Sequence, residues 1–208
     1  AGICAPDVQM HSDDYFHGLN VEEVIQFITT GSGNGCPSKK QLDNIAPFVE
    51  AGPDVEVPRG TAFYLTAKGS DPNEDKVTYC WEQMDTEEGV MPPLATSTKG
   101  PMFRSIAPDT SAKRFFPRVP TAGSQWERLP NVGRTMKFRI TARDNNIEGG
   151  GISWDDMVVS VSSTAGPFRV TAPNNFVIWR YGEIRQITWD VANTNLPPFN
   201  CKSVNILL

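Results

Sequence analysis

Three oxygen-bearing side chains stand at alternate positions in the run Asp71-Pro72-Asn73-Glu74-Asp75. Oxygens spaced this way can converge on one hard cation, and calcium takes about six to eight of them. The run lacks the later Glu of an EF-hand loop, so it is not one. A second acidic-amide run, Asp144-Asn145-Asn146, closes a strand pattern and would add oxygens if the two loops meet. Asp71, Asn73, Asp75 and Asp144 are therefore a candidate calcium set. The competing use is an Asx-rich turn, in which the side chains cap their own backbone.

Other chemistry is thinner. The only histidines are His11 and His17, and their spacing of six fits neither a helix-face ligand pair nor a zinc loop. The plainer role for His17 is structural. No G-x-S-x-G elbow occurs, so no serine hydrolase triad can be assembled. Asp155-Asp156 and Glu87-Glu88 are neighbours in sequence. Strand neighbours point to opposite faces, which makes them poor acid/base pairs and better solvated charges. Of the five tryptophans, Trp81, Trp154 and Trp189 sit in strand patterns, where an inward ring is usual. Trp126 and Trp179 lie in less regular sequence, and Trp126 is the candidate ligand-binding aromatic.

The chain has 208 residues and a net charge of −5, with no basic stripe, which argues against nucleic acid as a partner. No apolar run approaches a membrane span. The four cysteines form no C-x-x-C pair. Cys4 and Cys36 bracket one short segment, which suggests a disulfide and an oxidising, extracellular compartment. Cys80 and Cys201 are expected not to pair with each other.

Gly and Pro number 17 each and are spread along the chain, as expected for short strands joined by turns. Residues 1–36 read as one helix, capped by Asn20 with Glu23 returning the bond, with Val21, Val24, Ile25 and Ile28 on one face. That apolar face must dock on something. Residues 37–46 read as a linker. From 47 to 164 the period is strand-like, over Asp54–Val57, Thr61–Ala67, Lys76–Gln83, Thr135–Ala142 and Asp156–Ser162, with Gly69 to Asp75 as a turn. A Pro-rich insertion, 84–132, contains one further strand at Arg114–Pro117. Residues 165–208 begin a second β unit, with strands at Phe168–Pro173, Gln186–Val191 and Val204–Leu208. The fold expected is mainly β: an Ig-like or fibronectin-like β-sandwich, preceded by a short helical segment and followed by a second β domain that reads as truncated.

Ala1-Gly2-Ile3-Cys4, followed by Ser12-Asp13-Asp14-Tyr15-Phe16-His17, resembles the stretch just after the Met-turn of bacterial reprolysin-like zinc endopeptidases, a metzincin family. Asp71-Pro72-Asn73-Glu74-Asp75 with Tyr79-Cys80-Trp81-Glu82-Gln83 looks like the "DPDGD…YCWEQ" block that follows such protease domains in secreted proteins of Bacteroidetes type. Arg114-Phe115-Phe116-Pro117, Trp126-Glu127-Arg128-Leu129-Pro130 and Arg143-Asp144-Asn145-Asn146 fit the same block. The motif H-E-x-x-H-x-x-G-x-x-H is absent, so no zinc ligand of the family can be carried over.

The resemblance implies a non-catalytic accessory region of a secreted zinc endopeptidase. Zinc would belong to the parent's catalytic domain, and that upstream domain would be this region's partner. A glycan- or protein-binding module, or a cell-surface stalk with calcium at its joints, is the alternative. On the accessory reading, the purified chain should hydrolyse no casein with or without added zinc. Steady, chelator-sensitive hydrolysis would refute that.

Overall fold

The computed structural model describes residues 11–35, 38, 40–118 and 124–206. Cys4 and Cys36 lie outside the described residues, and so does the bridge expected between them. Cys80 is buried, Cys201 is exposed, and neither is in a disulfide.

The chain is mainly β with one helix, α1 (Gly18–Thr29). The strands, in chain order, are β1 (Phe48–Glu50), β2 (Val55–Pro58), β3 (Phe63–Thr66), β4 (Lys68–Ser70), β5 (Thr78–Gln83), β6 (Lys113–Phe116), β7 (Arg134–Arg143), β8 (Ile152–Ser162), β9 (Arg169–Ala172) and β10 (Thr188–Asp190). Four of them form the main sheet in the order β2-β8-β7-β5. β7 is antiparallel to both neighbours, and β2 runs parallel to β8. Antiparallel pairs β3–β6 and β1–β4 lie outside this sheet, and β9–β10 forms a separate pair.

Strand alternation builds the core. Met136, Phe138, Ile140 and Ala142 occupy alternate positions of β7 and are all fully buried. The Phe138 ring meets Phe116 of β6 edge-on, 5.0 Å between centroids, and Phe63 of β3 stacks on Phe116 at 5.1 Å. These contacts join the main sheet to the β3–β6 pair. Trp81 of β5 and Val159 and Val161 of β8 complete the layer.

The long insertion is packed into this core. Met102 and Phe103 are buried among the core phenylalanines. Outside β6 it is largely irregular, and a buried carbonyl must find a donor. Arg114 of β6 donates to the carbonyls of Trp81 (2.5 Å) and Arg104 (2.6 Å) and to Glu127 Oε1 (2.8 Å). Arg134 of β7 donates to the carbonyls of Ser97 (3.1 Å) and Gly100 (2.7 Å).

Four local expectations differ. The helix starts at Gly18, with His17 rather than Asn20 in the capping position and no side-chain cap. The reason is tertiary: Glu82 Oε2 on β5 accepts the Gly18 N–H at 2.7 Å, doing from the sheet what a local cap would do. The apolar stripe is split, with Val21 buried while Val24 and Ile28 are 51% and 46% exposed. β4 occupies the start of the segment expected as turn, because Lys68–Ser70 finds Phe48–Glu50 to pair with. Residues 201–206 carry no strand, although Val204 and Ile206 line one cleft with Val170 of β9 and Trp189 of β10.

Phe138→Ala should lower unfolding stability by about 3–5 kcal/mol, because the cavity would open at the junction of both layers. Tyr64→Ala, at a position 54% exposed, should cost far less. Urea melts of the two variants compare them directly.

Candidate functional site

The register of β5 on β7 decides where the acidic runs go. Thr78 lies opposite Arg143, so the residues just before β5 and just after β7 must meet at one end of the sheet. One carboxylate oxygen from each of Asp71, Asp75 and Asp144 lies within 4.8 Å of the others. Asp144 is only 2% exposed. At that separation, with an effective dielectric near 20, each charge pair repels by roughly 3 kcal/mol before solvent screening.

Each acid is also held by hydrogen bonds. Asp71 Oδ1 accepts the N–H groups of Asn73 (2.8 Å) and Asp75 (3.0 Å), which is the Asx-turn geometry. Its Oδ2 is buried without a hydrogen-bond partner. Asp75 Oδ2 accepts from Asn146 Nδ2 at 3.0 Å. Asp144 accepts the Asn146 and Gly151 N–H groups and, through Oδ2, the Asn44 amide at 2.7 Å.

Two residues change places relative to expectation. Asn73 Oδ1 accepts the Ile45 N–H at 2.8 Å and is thereby committed to the backbone of the segment before β1. Asn44, in the stretch expected to be a plain linker, takes a place beside Asp144. Its Nδ2 also donates to the Gly149 carbonyl at 3.0 Å, and its Oδ1 is buried without a partner. Nothing periodic in the sequence marks Asn44. The signal was only an amide in a polar stretch, meaningful once β1 has brought that stretch to the sheet.

A second polar constellation lies on the outer face of the main sheet. Glu82 of β5, 3% exposed, accepts from His17 Nδ1 (2.8 Å), the Gly18 N–H (2.7 Å) and Ser105 Oγ (2.7 Å). His17 and Ser105 both bond to the carboxylate and not to each other, so no base is set against a serine nucleophile. Tyr15 OH meets Ser105 Oγ at 2.7 Å, and burial pushes its pKa up to about 12. Burial likewise pushes the nearby Cys80 thiol up to about 12, leaving it protonated and unreactive.

Beside Glu82 in the ladder stands Arg139, with Asp156 on its other side. Arg139 forms a two-pronged pair with Asp156 (2.7 and 2.8 Å) and reaches Glu22 of α1 at 2.6 Å. Asp155 Oδ2 accepts the Ala51 N–H at 2.8 Å. The Asp155-Asp156 pair expected as solvated charge is therefore structural, because its two acids serve opposite faces.

His11 is exposed. Trp126 is half-buried; its N–H donates to Ser124 Oγ at 3.2 Å and its carbonyl accepts from the Arg104 N–H. Trp81 is buried, with its indole N–H on the Ala112 carbonyl, whereas Trp189 is 39% exposed. A groove of about 450 Å³ runs along the outer edge of β5, between Tyr79, Trp81, Ile106, Asp109, Lys113 and Arg114. No protein-family model and no curated protein sequence matches this chain.

The grip on α1 should depend on pH. The hydrogen bond to Glu82 raises the His17 pKa above its ordinary 6.5, against the opposing effect of burial. Burial raises that of Glu82, but bonds from His17, Ser105 and Gly18 outweigh it and leave the pKa below the ordinary 4.5. The Glu82 contribution is thus present above 4.5 and lost as pH falls through its lowered value. The His17 contribution is present below 6.5 and lost as pH rises through its raised value. Amide exchange of Val21, whose N–H bonds to the His17 carbonyl, should be slowest between about 4.5 and 6.5 after correction for intrinsic rates. Glu82→Gln should flatten that profile.

Proposed function

We propose that this chain is a non-catalytic accessory region of a secreted zinc endopeptidase, and that its β-sandwich, of Ig-like type, fixes the orientation of the chain ahead of it. One observation carries the reading. The helix is gripped by its polar side, through Gly18 on Glu82 and Glu22 on Arg139, while Val24, Phe27 and Ile28 are 51%, 55% and 46% exposed. An amphipathic helix normally turns its apolar stripe to the protein it serves. Here the β domain takes the polar side together with Val21, and leaves Val24 and Ile28 to a neighbour. The resemblance to reprolysin-like enzymes supplies the neighbour's class: the catalytic domain that would precede Ala1. What supports a spacer rather than a flexible tether is that the grip is made of charge-assisted bonds at 2.6 to 2.8 Å.

The reading is tested by Val24→Ser with Ile28→Ser in two settings. In the isolated chain the pair should shift stability by no more than about 0.5 kcal/mol, as exposed substitutions do. In the full-length natural protein the same pair should lower the melting temperature of the peptidase activity by several degrees. An unchanged full-length melting temperature, or a natural sequence that carries further β repeats instead of an H-E-x-x-H helix ahead of Ala1, overturns the reading.

A further inference from the structure

We propose that the groove along the outer edge of β5 binds an extended peptide segment carrying a carboxylate side chain. β5 is an edge strand of the main sheet. Across that edge Tyr79 exchanges two backbone hydrogen bonds with Asp109, at 2.7 and 3.0 Å. The pairing goes no further and remains an isolated bridge. Cys80 Sγ holds the Ile106 carbonyl at 3.2 Å, and the covering chain leaves the edge after one step. Strand alternation turns the backbone of Trp81 the same way as that of Tyr79. Its carbonyl accepts from Arg114 at 2.5 Å, and its N–H faces the groove with no second strand beside it. An edge N–H of this kind is what an added strand uses, and main-chain bonds supply much of the affinity in that mode of peptide binding.

Charge selects the acid. The groove is lined by three cations, Lys113, Arg114 and Arg118, and one acid, Asp109. Arg114 is answered by Glu127 at 2.8 Å. Asp109 serves its own turn, where Oδ1 accepts the Thr110 N–H at 2.6 Å. Lys113 is exposed and takes part in no ion pair among the described residues. Its ammonium rests over the rings of Tyr64 and Phe115, 3.9 and 4.6 Å from their centroids. A cation over exposed rings is weakly held and can turn to a carboxylate. The rim is thus positive in a chain whose net charge is −5, and an acidic side chain is its complement.

Shape limits the length. Phe115, 50% exposed, lines the groove with Tyr79 and Ile106 and offers apolar surface to the residues flanking the acid. A volume of about 450 Å³ lies within the range of ligand pockets, about 300–1,000 Å³, and admits a short stretch of chain rather than a folded partner. A small carboxylate shares the charge of such a peptide but lacks its backbone. Only the peptide uses the Trp81 N–H, the lysine and the apolar wall together. This proposal stands apart from the accessory reading and needs no protease for its test.

The experiment is a two-dimensional NMR titration of the chain with the blocked pentapeptide acetyl-Ala-Leu-Glu-Leu-Ala-amide. Its analogues with Gln or Lys in place of Glu, and glutarate alone, are titrated alongside. The amide signals of Trp81, Ala107 and Phe115 should shift and saturate with the Glu peptide at millimolar concentration or below. The Gln peptide should bind several-fold more weakly, and added salt should weaken the Glu peptide alone. Lys113→Glu should weaken the Glu peptide at least about fivefold and make the Lys peptide the better ligand. Phe115→Ser should weaken all three peptides. Both substitutions are at exposed positions, and unchanged melting curves show that the variants fold. The proposal is overturned if the Glu peptide causes no saturable shift at these amides in the folded wild-type chain. Equal binding of the Lys peptide, equal binding of glutarate, or an affinity untouched by Lys113→Glu overturns it as well.

Discussion

The arrangement depends on one buried carboxylate. Glu82 sits on the outer face of an edge strand, where alternation would ordinarily leave a charge in water. Covering it with α1 removes that water, and a buried charge is tolerable only if its oxygens are bonded. Three donors meet the requirement, two of them from the first residues of the helix. That demand reaches back into the sequence. A side chain at position 18 would bring its Cβ to 3.1 Å from Glu82 Oε2 and 3.2 Å from Arg139 Cδ, so glycine is what allows the N–H to arrive. The helix start is therefore set by the sheet, and helix propensity has little say in it.

The same economy of buried charge organises the insertion. Outside β6 the Pro-rich segment is largely irregular, so a buried carbonyl there needs a donor from elsewhere. Arg114, on the segment's own strand β6, reaches the carbonyls of Trp81 on β5 and of Arg104, and Arg134 of β7 reaches those of Ser97 and Gly100. Burial lowers the pKa of both, with Glu127 and Asp85 as the respective opposing acids. Held in this way, the insertion places Met102 and Phe103 in the core.

What could be read beforehand divides along the same line. β5, β7 and β8 announce themselves, because a period of two in β-branched and aromatic residues is a local property of the chain. The meeting of Asp71, Asp75 and Asp144 was legible too, since acidic residues in turns are visible as residue types. Asn44 was not, nor the reassignment of Asn73. Both depend on β1 pairing with β4 across a gap of about twenty residues, and three-residue strands leave almost no pattern. The polarity of helix docking was hidden for a different reason. Val21, Val24, Ile25 and Ile28 form a proper apolar stripe, and periodicity predicts that stripe to be the buried side. It cannot foresee that a single carboxylate and Arg139 on the sheet would compete for the helix and win its polar side.

The two polar clusters are linked by one piece of secondary structure. Glu82 lies near one end of β5, and Asp75 stands just ahead of its other end, about 23 Å away at strand rise. Arg139 lies midway along β7, and Asp144 follows its last residue. A slip of one residue between β5 and β7 would send Phe138 to solvent and separate Asp75 from Asn146 in the same step. The hydrophobic core is thus what fixes the register, and the register is what brings the charges together at both ends. The chain ahead of β1 is held at His17 and Gly18 on one side and at Asn44 and Ile45 on the other. The β5–β7 pair therefore acts as a strut between the two polar clusters.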